Sequence, residues 1–368
     1  MQWDARQQLP LTPGPSPQRG EGRSRVPDAL PIVAADGILM GMATQVTVTT
    51  GSRLHFGPLA AAGSGGGKFG GVGMMISAPG YVVTARPAER DSFVGDGASV
   101  ARVAEFIRLI RSTSTDESKV ASCEIEVSEA IPSHSGLGSG TQLGLAVARA
   151  LSELSGERDV SVETLARRAG RGLRSAIGLH GFARGGFLVD GGRADQRDQL
   201  GTLVARYDFP PEWRLVLASP PQSSGLSGDA ELRAFASQPP MSSALTGELC
   251  RIALMDWMPA VIEADFARVS AAMYEFGLLV GRFFEAAQGG VFAHPRMARL
   301  VEQLRTRGIR GIAQTSWGPT LAILCADQAE AHQLANDYAH GGDWSDCEFH
   351  VVEPLNRGAS VWNESAPN

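Results

Sequence analysis

The chain has 368 residues, enough for two domains, and its 43 % hydrophobic and 20 % charged residues are ordinary for a soluble globular protein. Its formal net charge of -6 argues against a nucleic-acid-binding surface, and no apolar run approaches the length that crosses a membrane. Cys123, Cys250, Cys325 and Cys347 are scattered with no C-x-x-C pair, which argues against a zinc site and fits a reducing, cytoplasmic setting.

Residues 1–43 are rich in Pro, Gly and charge, as in LTPGPSPQRGEGRSR, and lack apolar periodicity. They read as a disordered extension or a mis-assigned start, with Met40 or Met42 as the alternative. Thr44–Thr50 alternates in β-rich residues and predicts a strand that delivers Arg53 and His55 on one face. These two are either solvated edge residues or contacts to an anionic ligand. Gly63–Gly73 is a glycine loop, a flexible linker unless its Lys68 closes over a phosphate. Met74–Thr84 reads as strands joined near Pro79-Gly80, and Val103, Phe106, Ile107 and Ile110 mark a helix.

The stretch from Glu129 to Leu154 organises the rest. Cys123, Ile125 and Val127 alternate as a half-buried strand, and Pro132 ends the pairing. Gly136, Gly138 and Gly140 then free the backbone, and Leu143, Val147, Leu151 and Leu154 recur at helical spacing. A helix starting between Ser139 and Gln142 points unpartnered N–H groups and a positive dipole end into the glycine loop, a place for an anion. Glycines before a helix also serve as plain tight connections. The Gly140-Thr141-Gln142 ending is not the Gly-Lys-Ser/Thr of a Walker loop, and the glycine intervals are wrong for a dinucleotide fingerprint.

Val162–Ala169 predicts a short helix closed by Gly170. Five arginines lie between Arg167 and Arg184; Arg167 and Arg168 read as a solvated face, whereas Arg171 and Arg174 sit in a glycine-broken loop and can offer planar forks to phosphate or carboxylate. Pro210-Pro211 marks a domain boundary. Leu215–Ala218 is a short buried strand, and Ser223–Gly228 a small-residue loop. Residues 252–273 form a long helix or helix pair with Pro259 as kink or restart, and His294-Pro295 opens another helix. Gln314-Thr315-Ser316-Trp317-Gly318-Pro319-Thr320 precedes apolar β residues; Trp317 is either a hydrophobic anchor or a ring that stacks on an aromatic substrate. A helix from Gln328 to Tyr338 and a strand from Cys347 to Val352 follow, and residues 356–368 are expected as a loose tail.

PSHSGLGS, residues 132–139, resembles the phosphate loop of the GHMP superfamily. With Gly140-Thr141-Gln142 after it, the loop is closer to a non-kinase branch, the β-ribofuranosylaminobenzene 5'-phosphate synthases. Gly170–Gly178, Gly185–Gly192, CRIALMDWMPAVIEAD and the Trp-Gly-Pro-Thr motif resemble the same branch. The resemblance implies an α+β, GHMP-kinase-like two-domain fold: a ribosomal-protein-S5-like N-domain over 44–210 and a ferredoxin-like C-domain over 211–355. It implies a transferase that condenses 4-aminobenzoate with 5-phosphoribosyl 1-diphosphate and releases CO2 and diphosphate. Arg53, His55, Arg171 and Arg174 are then the catalytic candidates. His134, Gly136, Leu137, Gly138, Ser139, Gly140, Thr141, Gln142, Ser175, Gln314, Ser316 and Trp317 are the candidates for holding substrate. Magnesium is expected on the diphosphate with no legible ligand set, ATP is not expected, and a homodimer is. The alternatives are an ATP-dependent small-molecule kinase and a phosphate-ligand binding protein without chemistry. Against the kinase, Gly178 falls where kinases such as mevalonate kinase carry their catalytic Asp; Asp190 or Glu129 would have to replace it.

Overall fold

Alternation of apolar and polar residues from the first strand onward builds the larger sheet. The structure is a computed structural model that describes residues 43–61, 68–113, 121–194, 199–221, 233–234 and 238–365. The expectations for residues 1–42, for Gly63 to Gly67 and for Ser223–Gly228 lie outside the described residues.

Strand β1 (Ala43–Pro58) pairs antiparallel with β2 (Gly71–Pro87), with Arg53 opposite Met75 and His55 opposite Gly73. The turn expected at Pro79-Gly80 is instead a bulge: β1 pairs with Tyr81 through Thr50 and with Ile76 through Ser52, so residues 77–80 are looped out of one continuous strand. β3 (Ser92–Val94), β4 (Cys123–Glu129), β5 (Phe187–Asp190), β6 (Leu203–Tyr207) and β11 (Ser360–Ser365) complete a seven-stranded sheet. Between β3 and β4 lies helix α1 (Gly97–Thr113), which buries Val103, Phe106, Ile107 and Ile110. Helix α2 (Ser139–Leu154) buries an unbroken run from Gln142 to Ala148, the mark of a helix packed on all sides rather than along one stripe. The short helices α3 (Val162–Arg168) and α4 (Ile177–Arg184) follow it.

The expected loose tail is a correction. β11 pairs antiparallel with β1, and ahead of it Asn356 exchanges side-chain hydrogen bonds with the Phe209 backbone at 2.8 and 2.7 Å. Without β11, the outer edge of β1 would present unpaired N–H and C=O groups.

The second sheet has the order β10-β7-β9-β8, built from β7 (Arg214–Ser219), β8 (Ile312–Gln314), β9 (Leu321–Cys325) and β10 (Glu348–Val352), all antiparallel. Helices α5 (Ser243–Arg251), α6 (Met258–Ile262), α7 (Phe266–Gln288) and α8 (Pro295–Thr306) join β7 to β8, and α9 (Gln328–Ala339) joins β9 to β10. This is the ferredoxin-like arrangement. Pro259, expected as a kink or a restart, lies in the first turn of α6, and a π-helical stretch, Ile252–Trp257, joins α5 to it. It turns Trp257 inward against Phe56, Phe187 and Phe276 at ring distances of 5.1, 5.3 and 5.6 Å. That aromatic cluster ties β1 and β5 to α7, and the described residues from Ala43 onward belong to one compact unit.

Candidate functional site

The glycine loop is fixed at three points. Gly138, the N-cap of α2, has φ 77°, a left-handed conformation that favours glycine, and offers no side-chain acceptor to the first helical N–H groups. Arg53 N donates to Leu137 O at 3.0 Å and docks the loop on β1. The Thr315 hydroxyl donates to Gly136 O at 2.9 Å and accepts from His55 N at 3.1 Å, while Ser316 N donates to His55 O at 2.7 Å. One fully buried threonine therefore clamps the loop, β1 and the turn after β8 together.

Guanidinium groups crowd the helix start. A methyl added to Gly138 would lie 3.1 Å from Arg53 Nε, and one on Gly140 2.6 Å from Arg102 Nη2 and 3.7 Å from Arg171 Cζ. Arg102 also donates to Ser139 Oγ at 3.3 Å. Burial, then Arg102 and Arg174, push the Arg171 guanidinium down to about 10, so it stays cationic at neutral pH against its like-charged neighbours. Cations held together at the positive end of a helix are ready for a polyanion.

Beside this cradle lies a cavity of about 680 Å³. Its lining includes Arg53, His55, Arg171, Arg174 and Arg193 together with the apolar Phe56, Val280, Phe284, Val291 and Trp317. No Asp or Glu is among the described residues lining it. Burial, then the Arg53 charge, push the His55 imidazole down to about 3, so it is neutral near pH 7. A second, more open cavity of about 730 Å³ beside α3 and α4 gathers none of the predicted site residues.

Of the sequence candidates, Arg53, His55, Thr141, Arg171, Arg174, Ser175, Gln314, Ser316 and Trp317 all line the cavity. Gly136, Leu137, Gly138, Ser139 and Gly140 form the cradle next to it. Two candidates, Gln142 and His134, are not among the lining residues. Gln142 is fully buried, with its amide accepting from the Thr50 hydroxyl at 2.7 Å and donating to Gly178 O at 2.9 Å, so it braces α4. His134 is exposed, at φ 60°, and does not line the cavity. Gln314 borders the cavity with its amide already engaged by Ala293 N, Gln288 Oε1 and Ser316 O. Trp317 packs on Phe284 at 4.8 Å, so its anchoring and its cavity-facing roles coexist.

Sequence reading missed Arg102, Arg193, Thr315, Val280 and Phe284. Arg102 sits among the polar positions of an amphipathic helix, and Val280 and Phe284 sit on a long apolar one, so neither pattern marks a site. Thr315 stood inside a motif already noticed.

The position that carries the catalytic Asp in kinases is empty of any side chain. A methyl on Gly178 would meet Thr141 Cγ2 at 3.2 Å, so a carboxylate there would crowd the wall of the cavity. Asp190 is fully buried and accepts from Ala176 N at 2.7 Å and Gly192 N at 2.8 Å; it pins the arginine loop. Glu129 is exposed at the end of β4. A protein-held magnesium does not fit either: the cavity's ionised side chains are guanidinium groups, and among the described residues no group of three or more His, Cys, Asp or Glu could hold a metal.

A glycine-loop cradle at a helix start, closed by a loop from a ferredoxin-like second sheet, defines a GHMP-type protein. GHMP kinases N terminal domain matches residues 100–185, and GHMP kinases C terminal matches residues 257–342. A homoserine kinase from Cytophaga hutchinsonii superposes with a TM-score of 0.60 at 17 % identity, covering 88 % of this chain and 99 % of that one. In sequence the chain is 31 % identical to the beta-ribofuranosylphenol 5'-phosphate synthase of Archaeoglobus fulgidus, over 85 % of this chain and 98 % of that protein. It is 30 % identical to the synthase of the same name from Methanothermobacter thermautotrophicus, over 76 % and 88 % respectively. The chain belongs to the beta-ribofuranosylphenol 5'-phosphate synthase family and is an enzyme. No helix among the described residues is long and apolar enough to cross a membrane.

Proposed function

We propose that this enzyme joins a para-substituted benzoate to 5-phosphoribosyl 1-diphosphate, releasing CO2 and diphosphate. The observation that carries the reading is a cavity lined by both arginines and aromatic side chains, with no carboxylate among its described lining residues. A kinase needs a group to orient or deprotonate its acceptor alcohol. The proposed condensation needs none. The ring carbon bearing the carboxylate attacks the anomeric carbon, the carbon–carbon bond forms, and the carbon–oxygen bond to diphosphate breaks with its electron pair. The carbon–carboxylate bond then breaks, its pair restores the aromatic ring, and CO2 leaves. No proton moves to or from carbon.

Arg53, Arg102, Arg171 and the α2 start take the diphosphate and stabilise the charge that grows on it. Phe56, Val280, Phe284 and Trp317 hold the ring, and Arg174 takes the carboxylate. Ser316, through its bond to the His55 backbone, keeps the loop after β8 in register with β1, so positioning supplies much of the rate. Magnesium enters as the substrate's own diphosphate complex, and ATP has no part. The same reading includes a cytoplasmic homodimer, for which light scattering would give twice the 38.8 kDa chain mass.

The ring substituent is the one open choice of substrate. The resemblance implies an amino group; the relatives' name carries a phenol. Both push electrons to the attacking carbon. The test incubates purified protein with phosphoribosyl diphosphate and either 4-aminobenzoate or 4-hydroxybenzoate, without nucleotide. A ribosylated ring with a carbon–carbon bond, seen by mass spectrometry, is expected from at least one acid. No product from either, with substrates intact, or phosphate transfer from labelled ATP to an alcohol, overturns the proposal.

A further inference from the structure

One buried, cavity-lining side chain has no task in the proposed reaction: the imidazole of His55. Its backbone is held on both sides, with N–H donating to the Thr315 hydroxyl at 3.1 Å and C=O accepting from Ser316 N at 2.7 Å. The residue lines the cavity and is only 9 % exposed, yet Nε2 has no hydrogen-bond partner among the described residues. Buried polar groups are almost always paired, and an orphan costs stability, so an orphan at a cavity points to a ligand. The start of β2 makes room for the ring. A methyl on Gly71 would lie 2.9 Å from Nε2 and 3.3 Å from Cε1, so the imidazole rests where a side chain on that strand would stand.

Charge separates His55 from its neighbours. The arginines that line the cavity can only donate hydrogen bonds. Burial, then the Arg53 charge, keep the imidazole neutral near pH 7, so it offers a lone pair as well as an N–H. The nearby amides are already engaged, Gln314 by Ala293 N and Gln288 by Gln314. Two charges grow in the proposed condensation. The negative one leaves with the diphosphate, where the arginines meet it. The positive one spreads through the attacking ring onto the substituent para to the carboxylate. A cation beside that substituent would oppose the reaction. A neutral acceptor favours it, because the N–H or O–H it binds becomes more acidic as the charge grows. The proton stays on the substituent, and the charge disappears when CO2 leaves its electron pair to the ring.

We propose that His55 sets the substrate class: its imidazole accepts a hydrogen bond from the para substituent, and so selects benzoates that carry an N–H or O–H there. The inference rests on the proposed function for the identity of the ring. It makes His55 a catalytic residue in contact with substrate rather than an anion contact. An amino and a hydroxyl group both meet the requirement. A methyl group has nearly the same shape and no hydrogen to give.

The test is direct binding to the full chain by calorimetry, with 4-aminobenzoate, 4-hydroxybenzoate and 4-methylbenzoate as probes. Wild type is expected to bind at least one of the first two about tenfold more tightly than the methyl acid, the worth of one hydrogen bond. His55→Leu should cut that preference to less than about twofold while leaving 4-methylbenzoate and inorganic diphosphate bound as before, which also shows that the variant is folded. His55→Gln, whose amide oxygen accepts, should keep part of the preference. A second reading needs no variant to bind: in wild type labelled with nitrogen-15 histidine, the preferred acid should shift the His55 ring signal and 4-methylbenzoate should not. A leucine variant that keeps the preference, equal weakening of all three acids, a wild type with no preference, or the same ring shift with every acid overturns the contact. If the preference runs through His55 yet no product forms from phosphoribosyl diphosphate, the contact stands and the proposed reaction falls. If wild type makes product and the leucine variant makes it with the same kcat and KM for the acid, the reaction stands and the contact falls.

Discussion

Replacing Thr315 by valine removes one hydroxyl and keeps the shape of the side chain. That hydroxyl is buried and serves two backbone groups, Gly136 O at 2.9 Å and His55 N at 3.1 Å. Leaving a buried polar group unsatisfied costs about 1–3 kcal/mol, so two give an expected loss of about 2–6 kcal/mol. This is a large fraction of the about 5–15 kcal/mol that holds a typical fold. Thr315→Ser keeps both bonds and loses only a buried methyl, about 1 kcal/mol. Urea unfolding of the two variants separates the hydroxyl from the methyl. Diphosphate binding then reads the consequence for the cradle, because Gly136 belongs to the loop that α2 opens from. The valine variant should bind diphosphate more weakly than the serine variant. If the valine variant unfolds within 0.5 kcal/mol of the serine variant, the clamp is not what holds the loop.

Two further outcomes follow from the site's geometry. The folded-state pKa of His55 lies near 3, below the unfolded value of 6.5, so the unfolded chain binds more protons between these values. Its contribution is complete above pH 6.5 and is lost as pH falls toward 3, on the order of 5 kcal/mol. Acid unfolding of His55→Gln should therefore be less steep than that of wild type over this window; equal slopes contradict the buried neutral imidazole. Gly140→Ala places a methyl against the flexible end of Arg102, which can swing away. Stability should stay within about 0.5 kcal/mol of wild type, while the KM for the phosphoribosyl substrate rises several-fold as Arg102 leaves the cradle. An unchanged KM would remove Arg102 from the site.

Local signals carried most of the scaffold. The glycine loop and apolar spacing located α2, which begins at Ser139 as expected. Strand alternation put Arg53 and His55 on one face, and both border the cavity. What escaped was decided by distant partners. β11 is six residues with little apolar content, and it exists because β1, some three hundred residues earlier, offers an open edge. Gln142 read as a loop-end ligand because its neighbours are loop-like; only the approach of Thr50 and Gly178 makes it a brace. Arg102 reads as a surface residue until α1 is laid across the start of α2. The backbone bridge between Lys68 and Arg193 needs two segments that no local pattern joins.

The most direct test of the central claim follows both leaving groups at once. Aromatic acid labelled with carbon-13 in its carboxylate is incubated with phosphoribosyl diphosphate and no nucleotide. Labelled CO2 and diphosphate should then appear one for one with the ribosylated ring. Diphosphate released without labelled CO2, or turnover that appears only when ATP is added, would contradict it.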